Sequence, residues 1–181
     1  MKRLYYVGII TSILLISFFT SCLSTKYAVD RSYFDQSIPY LEHSRMIIGS
    51  AIKSIDGKPV AKDNSISSVW FLIPSGGHTF EIDFGLTYPR TESIQTMTLE
   101  LLPGHYYEVF SADGDHYFQS NIPPGVWAGG IVDFTNPNNP LIVTTAGQEE
   151  FVQAALTAYS NVMPFTGAKD TFDALLRREE F

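Results

Sequence analysis

The stretch Thr79-Phe80-Glu81-Ile82-Asp83-Phe84 has the clearest alternation of apolar and polar residues in the chain. Its three apolar residues fall on one face of an extended segment, and its three polar residues fall on the other. A strand with one wet face is typical of antiparallel sheets. The stretch therefore predicts a half-buried antiparallel strand, and it sets the fold class as mainly β.

The segments around this stretch predict further strands. Residues 94–102 alternate in the same way, and residues 105–112 form another extended run. Val69–Ile73 is a continuous apolar run, as expected of a strand that is covered on both faces. Asp56-Gly57 is a pair that tight hairpin turns prefer, because both central positions need positive φ. Residues 45–144 are therefore predicted to fold as an antiparallel β-sandwich.

The C-terminal segment, residues 145–181, has a helical pattern. Thr145 and Gln148 have the spacing of a capping box, which predicts a helix start. The apolar residues that follow at helical spacing are Phe151, Ala155, Leu156 and Tyr159. A second helix is predicted from about Asp170. The sandwich should therefore carry a short helical appendage.

The first residues have the composition of a secretory signal. Met1-Lys2-Arg3 is a short cationic head, and residues 4–21 contain no charge. A run of this length also comes close to the roughly 20 apolar residues that span a bilayer. A cleaved signal and a retained anchor helix both fit the run, and the small residues Thr20 and Ser21 before the single cysteine, Cys22, favour cleavage.

Phe19-Thr20-Ser21-Cys22 resembles the lipobox of bacterial lipoproteins, although Phe19 stands where an aliphatic residue is more common. The resemblance implies that residues 1–21 are a signal peptide and that Cys22 is lipidated, with residues 22–44 as a tether. It also implies attachment to the cell envelope through acyl chains. Leu23 is not the Asp associated with inner-membrane retention in enterobacteria, so we expect the outer membrane.

A second resemblance covers about residues 46–110. The turn Pro74-Ser75-Gly76-Gly77, its following strand, and Pro103-Gly104-His105 resemble the small β-sandwich modules of the PEGA and carboxypeptidase-regulatory-like kind. That resemblance implies an immunoglobulin- or transthyretin-like sandwich used for binding or spacing. It implies no catalytic residue.

The composition excludes some function classes. The chain has 181 residues, with 12 Lys and Arg against 19 Asp and Glu, for a net charge of −7. We expect no nucleic-acid partner, because phosphate binding needs clustered cations. The four histidines show no zinc-ligand spacing, and there is no Gly-x-Ser-x-Gly nucleophile turn. We therefore expect no metal, no cofactor and no enzymatic activity.

Aromatic residues near turns are the remaining signal for a binding site. Tyr106, Tyr117 and Trp127 are candidates for a platform that binds a sugar or a peptide. Glu81, Asp83, Glu100 and Glu108 are expected on outward, solvated faces of strands. Two hypotheses follow. One is a non-catalytic binding or scaffolding module with envelope proteins or a glycan as partner; the other is a surface carbohydrate-binding accessory or hydrolase.

Overall fold

The computed structural model describes residues 27–48, 52–60, 68–84, 94–115 and 121–178. Within these residues the protein is mainly β, with two sheets that form a sandwich and a short helical part at the C-terminus. The predicted fold class is confirmed. Cys22 and Tyr117 lie outside the described residues, as do residues 116–120, for which the sequence predicts a return strand after residues 105–112.

The described strands and helices are as follows. The strands are β1 (Tyr27–Asp30), β2 (His43–Ile48), β3 (Ile52–Ile55), β4 (Lys58–Pro59), β5 (Ser68–Pro74), β6 (Gly76–Asp83), β7 (Ile94–Leu101), β8 (Tyr106–Asp113), β9 (Trp127–Asp133) and β10 (Leu141–Gly147). The helices are α1 (Val152–Val162) and α2 (Phe165–Arg178), with short 3₁₀ helices at Tyr40–Glu42 and Glu149–Phe151.

The strands form one sheet of six and one of four. The larger sheet has the order β1-β5-β2-β8-β9-β10, and the smaller sheet has the order β4-β3-β6-β7. Most neighbouring strands are antiparallel, but β1 with β5 and β2 with β8 are parallel pairs. Both parallel pairs join segments that are distant in sequence, which local alternation does not predict.

The core between the two sheets contains the alternating residues that the sequence marks out. Phe80 and Ile82 in β6 are fully buried, and they pack with Met97 and Leu99 of β7 and with side chains of the six-stranded sheet. The predicted hairpin turn between β3 and β4 is also present, with φ of 51° at Asp56 and 72° at Gly57.

A second core lies on the other face of the six-stranded sheet, under α1 and α2. Trp70 and Leu72 of β5 belong to it, while Phe71 and Ile73 belong to the core between the sheets. This arrangement explains why the run Val69–Ile73 in β5 is apolar at every position. The molecule thus has three layers, with the six-stranded sheet in the middle.

Some predicted boundaries differ from the structure. Residues 27–30, expected in the tether, form β1 and extend the larger sheet. Thr145 lies in β10 and makes no helix cap, because the strand continues to Gly147 and Gln148 leads into the 3₁₀ helix. The second helix begins at Phe165, five residues before Asp170. Neither α1 nor α2 is long and apolar enough to cross a membrane.

The two ends of the six-stranded sheet matter for the site. At one end β1 begins, β8 ends and β9 begins; we call this the Tyr27 end. At the other end β2, β8 and β10 begin, and β5 and β9 end. We call this the His43 end.

Candidate functional site

The structure places two of the three predicted platform residues, Tyr106 and Trp127, and it holds them far apart. Tyr106 is buried at the start of β8, on the face that α2 covers. Trp127 begins β9 and pairs with Asp113, at the last position of β8. Seven residues of strand therefore separate the two aromatic positions, about 23 Å. Tyr106 and Trp127 therefore do not form one compact platform.

Trp127 is half-buried and takes part in local packing. Its ring stacks on Phe84, with centroids 5.4 Å apart and an angle of 27°. A Cβ added at Gly147 would lie within 3.0 Å of the Trp127 ring, so the end of β10 runs directly against the indole. This contact indicates that Trp127 anchors the edge of the sheet.

Five polar side chains lie between the six-stranded sheet and the helical layer. We call this set the sheet–helix seam, and it consists of Arg45, Tyr106, Glu108, Tyr159 and Asp173. The prediction that Glu108 faces solvent is wrong, because α1 covers the face of β8 from which it projects. All eight residues of β8 are buried, so neither of its faces meets solvent, and nothing local in the sequence distinguishes Glu108 from an exposed strand carboxylate.

Arg45 occupies one end of the seam. The guanidinium carbon Cζ lies 5.2 Å from the ring centroid of Tyr40 and 5.1 Å from that of Tyr106. Its Nη1 donates a hydrogen bond of 2.7 Å to the carbonyl of Gly104. A desolvated cation–π contact contributes about 0.5 to 2 kcal/mol. Arg45 therefore holds the 3₁₀ helix and the start of β8 against β2.

Tyr106 connects this cation to α2. Its hydroxyl donates a short hydrogen bond to Asp173, which also accepts one of 2.8 Å from Lys169. Burial, with the Asp173 bond next, raises the pKa of Tyr106. Burial alone would raise the pKa of Asp173, but its two donors outweigh that and hold it below the ordinary value. The pair is therefore a neutral phenol bound to an ionised carboxylate.

Glu108 lies in the middle of the seam and is 3% exposed. The Tyr159 hydroxyl, on α1, donates a 2.5 Å hydrogen bond to its Oε1, whereas Oε2 is buried without a partner. Burial raises the pKa of Glu108 to about 7, against the opposing effect of the Tyr159 bond. The Trp70 indole Nε1, on the same face of the sheet, is also buried without a partner. Glu108 can therefore gain or lose a proton near neutral pH.

The described histidines make structural bonds. His78 places Nε2 2.8 Å from the carbonyl of Pro74 and Nδ1 2.7 Å from Asp56 Oδ2, which closes the turn before β6. His105 Nδ1 lies 2.6 Å from Asp133 Oδ2, which joins β8 to β9. In the part of the chain that the structure describes, no three side chains of metal-binding type come together.

The His43 end of the sheet exposes aliphatic side chains. Leu41 is 72% exposed, Leu141 is 60% exposed and Val162 is 62% exposed. Among the described residues, the exposed apolar side chains that we group at this end are Leu41, Leu102, Leu141, Val162 and Met163. We call these five residues the apolar end. Proteins do expose single apolar residues, but a set gathered at one end is a feature of interaction surfaces.

Backbone and ring contacts hold the apolar end together. The N–H of Gly104 donates to the His43 carbonyl at 3.2 Å, which fixes the loop of Leu102 beside the 3₁₀ helix of Leu41. Phe165, two residues after Met163, stacks on Phe134 with centroids 5.4 Å apart. The α1–α2 turn therefore lies beside the end of β9, where Leu141 begins β10.

Comparison with known proteins gives no relative. No family model, no curated protein and no solved structure matches the chain. The architecture and the two features above, the sheet–helix seam and the apolar end, are therefore the basis for a functional proposal.

Proposed function

We propose that the chain is a bacterial lipoprotein, attached to the cell envelope through lipid on Cys22, whose sandwich is a non-catalytic binding module. The cationic head, the uncharged run and the small residues before Cys22 support the anchor. The observation that carries the binding role is the position of the apolar end, which lies opposite the end where β1 enters the sheet.

The distance from Cys22 to the fold sets the orientation of the module. β1 begins at Tyr27, five residues after Cys22. A chain of five residues spans at most about 17 Å. The Tyr27 end is therefore held close to the bilayer, and the apolar end points away from it. Strands of seven or eight residues place the apolar end about 25 Å further out.

We infer that the occupant of the apolar end is another envelope protein. Copies of this chain in one leaflet share one orientation, so their apolar ends do not face each other. The exposed side chains are aliphatic, whereas glycans are recognised mainly by aromatic platforms. Tyr106 is buried, so the alternative of a carbohydrate-binding accessory or hydrolase has less support. Removal of residues 1–21 would leave ten basic and 19 acidic residues, a charge that anionic lipid repels.

Lipid attachment is tested by substitution of the cysteine. Cys22→Ser should accumulate as an unprocessed precursor that palmitate analogues do not label, because no other thiol is available. Ser24→Ala, two residues away, should mature and label like the wild type. Labelling of the Cys22→Ser variant at the wild-type level would contradict the anchor.

The proposed outer-membrane location has its own test. After density separation of the envelope, the wild type should sediment with outer membranes. Leu23→Asp should move it towards the inner-membrane fraction if the sorting rule of the lipobox resemblance applies. A wild-type protein found only in inner membranes would overturn this part of the proposal.

The partner surface is tested by photo-crosslinking in intact cells. A photoreactive residue at position 41 or 141 should give a defined protein adduct, and one at Ile94, exposed at the Tyr27 end, should not. The adduct at position 41 should weaken when Leu141→Ser is added, since both side chains belong to one surface. Equal adducts from all three positions, or glycan adducts only, would contradict a protein partner at this end.

A further inference from the structure

Glu108 lies at a buried, central position of the sheet, where carboxylates are rarely found. It is the register partner of Ile47 in β2 and of Val132 in β9, so it lies in the middle of the six-stranded sheet. Its neighbours on the same face of β8 are Tyr106 and Phe110, both members of the apolar core under the helices. Solvent cannot compensate a charge at this position.

The carboxyl also connects two layers. Tyr159 Oη, at 2.5 Å from Oε1, is the bond that joins Glu108 to α1. Oε2 is buried and has no hydrogen-bond partner. An ionised carboxylate would leave that oxygen with uncompensated charge, whereas a protonated one carries a hydrogen there and remains neutral.

Among the side chains that the structure describes, no cation pairs with Glu108 to offset an ionised form. α1, β5 and β10 contain no Asp, Glu, Lys or Arg. Of the charged groups on the other elements, Arg45 is bonded to Gly104 and covered by two tyrosine rings, Lys169 and Asp173 pair with each other, and Asp133 pairs with His105. Of the other charged residues in the helical part, Glu149, Glu150, Asp170 and Arg177 are exposed.

We propose that Glu108 is a proton-controlled latch that holds the helical layer on the sheet when it is protonated and loosens that layer when it ionises. The raised pKa of Glu108, about 7 because of its burial, places the change near neutrality. The ordinary value is 4.5, so the unlatched state gains population as pH rises from 4.5 and stops gaining above 7. The equilibrium constant for unlatching should rise by about 300-fold over this whole range. About 30-fold of that rise falls between pH 5.5 and 8.5.

Loss of the Glu108 proton would also affect the apolar end. Val162 and Met163 follow Tyr159 within about one turn, so loosening of α1 would displace the helical part of the apolar end. This extension rests on the function proposed above, whereas the latch itself does not.

Hydrogen exchange tests the latch in the full chain, held in detergent with its N-terminal segment. After correction for intrinsic rates, amides of α1 should lose about 30-fold protection between pH 5.5 and 8.5. Glu108→Gln, which is isosteric and neutral, should show a flat profile. Glu100→Gln, at an exposed carboxylate of β7, should follow the wild type. Amides of β6 should change much less than those of α1.

The Tyr159→Phe variant tests whether the bond from Glu108 to α1 contributes to the latch or whether Glu108 is only a buried carboxyl. The Tyr159 bond lowers the pKa of Glu108, so its removal should move the midpoint of the exchange profile to higher pH. A flat wild-type profile would overturn the proposal, and so would a Glu108→Gln profile that follows the wild type. Equal loss of protection in α1 and β6 would overturn the assignment to the helical layer.

Discussion

The indole ring of Trp70 stacks on the phenyl ring of Phe172, with centroids 4.4 Å apart and an angle of 20° between the ring planes. Trp70 lies in β5 and Phe172 lies in α2, so this contact joins the sheet to the helical layer. Tyr106 meets the same phenyl ring edge-on, with centroids 6.0 Å apart. Phe172 is therefore the central apolar side chain between α2 and the sheet.

Phe172→Ala should lower the free energy of unfolding by about 3 to 5 kcal/mol, the usual cost of removing a buried phenyl ring. Asp170→Ala, at an exposed position two residues earlier, should change it by less than about 0.5 kcal/mol. Urea unfolding at pH 6 measures both. A loss below about 1 kcal/mol at Phe172 would show that α2 does not depend on this stack.

The register of β6 gives a matched pair of substitutions. Ile82 is fully buried, so Ile82→Asp should unfold the domain or cost several kcal/mol, because it buries an unpaired carboxylate. Glu81 is half-buried on the other face and accepts a 3.1 Å hydrogen bond from Ser54. Glu81→Ala should therefore cost less than about 1 kcal/mol. Similar losses at both positions, measured by circular dichroism in urea, would contradict this register.

The sequence predicts β6 correctly because one face of the smaller sheet is exposed to solvent. Phe80 and Ile82 are buried while the polar residues between them are not, so period-two alternation appears in the sequence. The turn at Asp56-Gly57 is equally local, because two residues alone decide its φ values. Both features need no information from distant parts of the chain.

The seam could not be predicted because its contacts are distant in sequence. Tyr106 bonds to Asp173, 67 residues later, and Glu108 bonds to Tyr159, 51 residues later. A Tyr or Glu in a strand looks the same whether solvent or a helix covers that face. Parallel pairing of β1 with β5 was missed for the same reason, since nothing in residues 27–30 identifies the partner strand.

Close approach of β9 and β10 makes Gly130 sensitive to any side chain. A Cβ at this position would lie 2.1 Å from the carbonyl oxygen of Thr144, so Gly130→Ala should cost about 2 kcal/mol or more. Gly167, in α2, has nothing within 4 Å of the corresponding position. Gly167→Ala should therefore stabilise the protein by up to about 1 kcal/mol. Thermal unfolding measures both changes, and equal effects at the two sites would contradict the β9–β10 packing.

Asp173 should give a pH dependence opposite in direction to that of Glu108. Its pKa lies below the ordinary value of 3.8, because the bonds from Lys169 and Tyr106 outweigh the effect of burial. A carboxylate with a lowered pKa contributes stability that is present above pH 3.8 and is lost as pH falls through its folded-state value. Glu108, with a raised pKa, instead loses stability as pH rises between 4.5 and 7.

Asp173→Asn should therefore destabilise the protein clearly at pH 6 and less at pH 2.5, because the wild type loses the contribution of its ionised carboxylate as pH falls below 3.8. The measurement is the difference in urea midpoint between wild type and variant at each pH. Asp170→Asn, on the same helix and exposed, serves as the control and should show no such change between the two pH values. If Asp173→Asn lowers the urea midpoint equally at both pH values, the amide destabilises the protein because of its shape and not because the charge is lost. The bonds to Lys169 and Tyr106 would then not depend on the charge of Asp173.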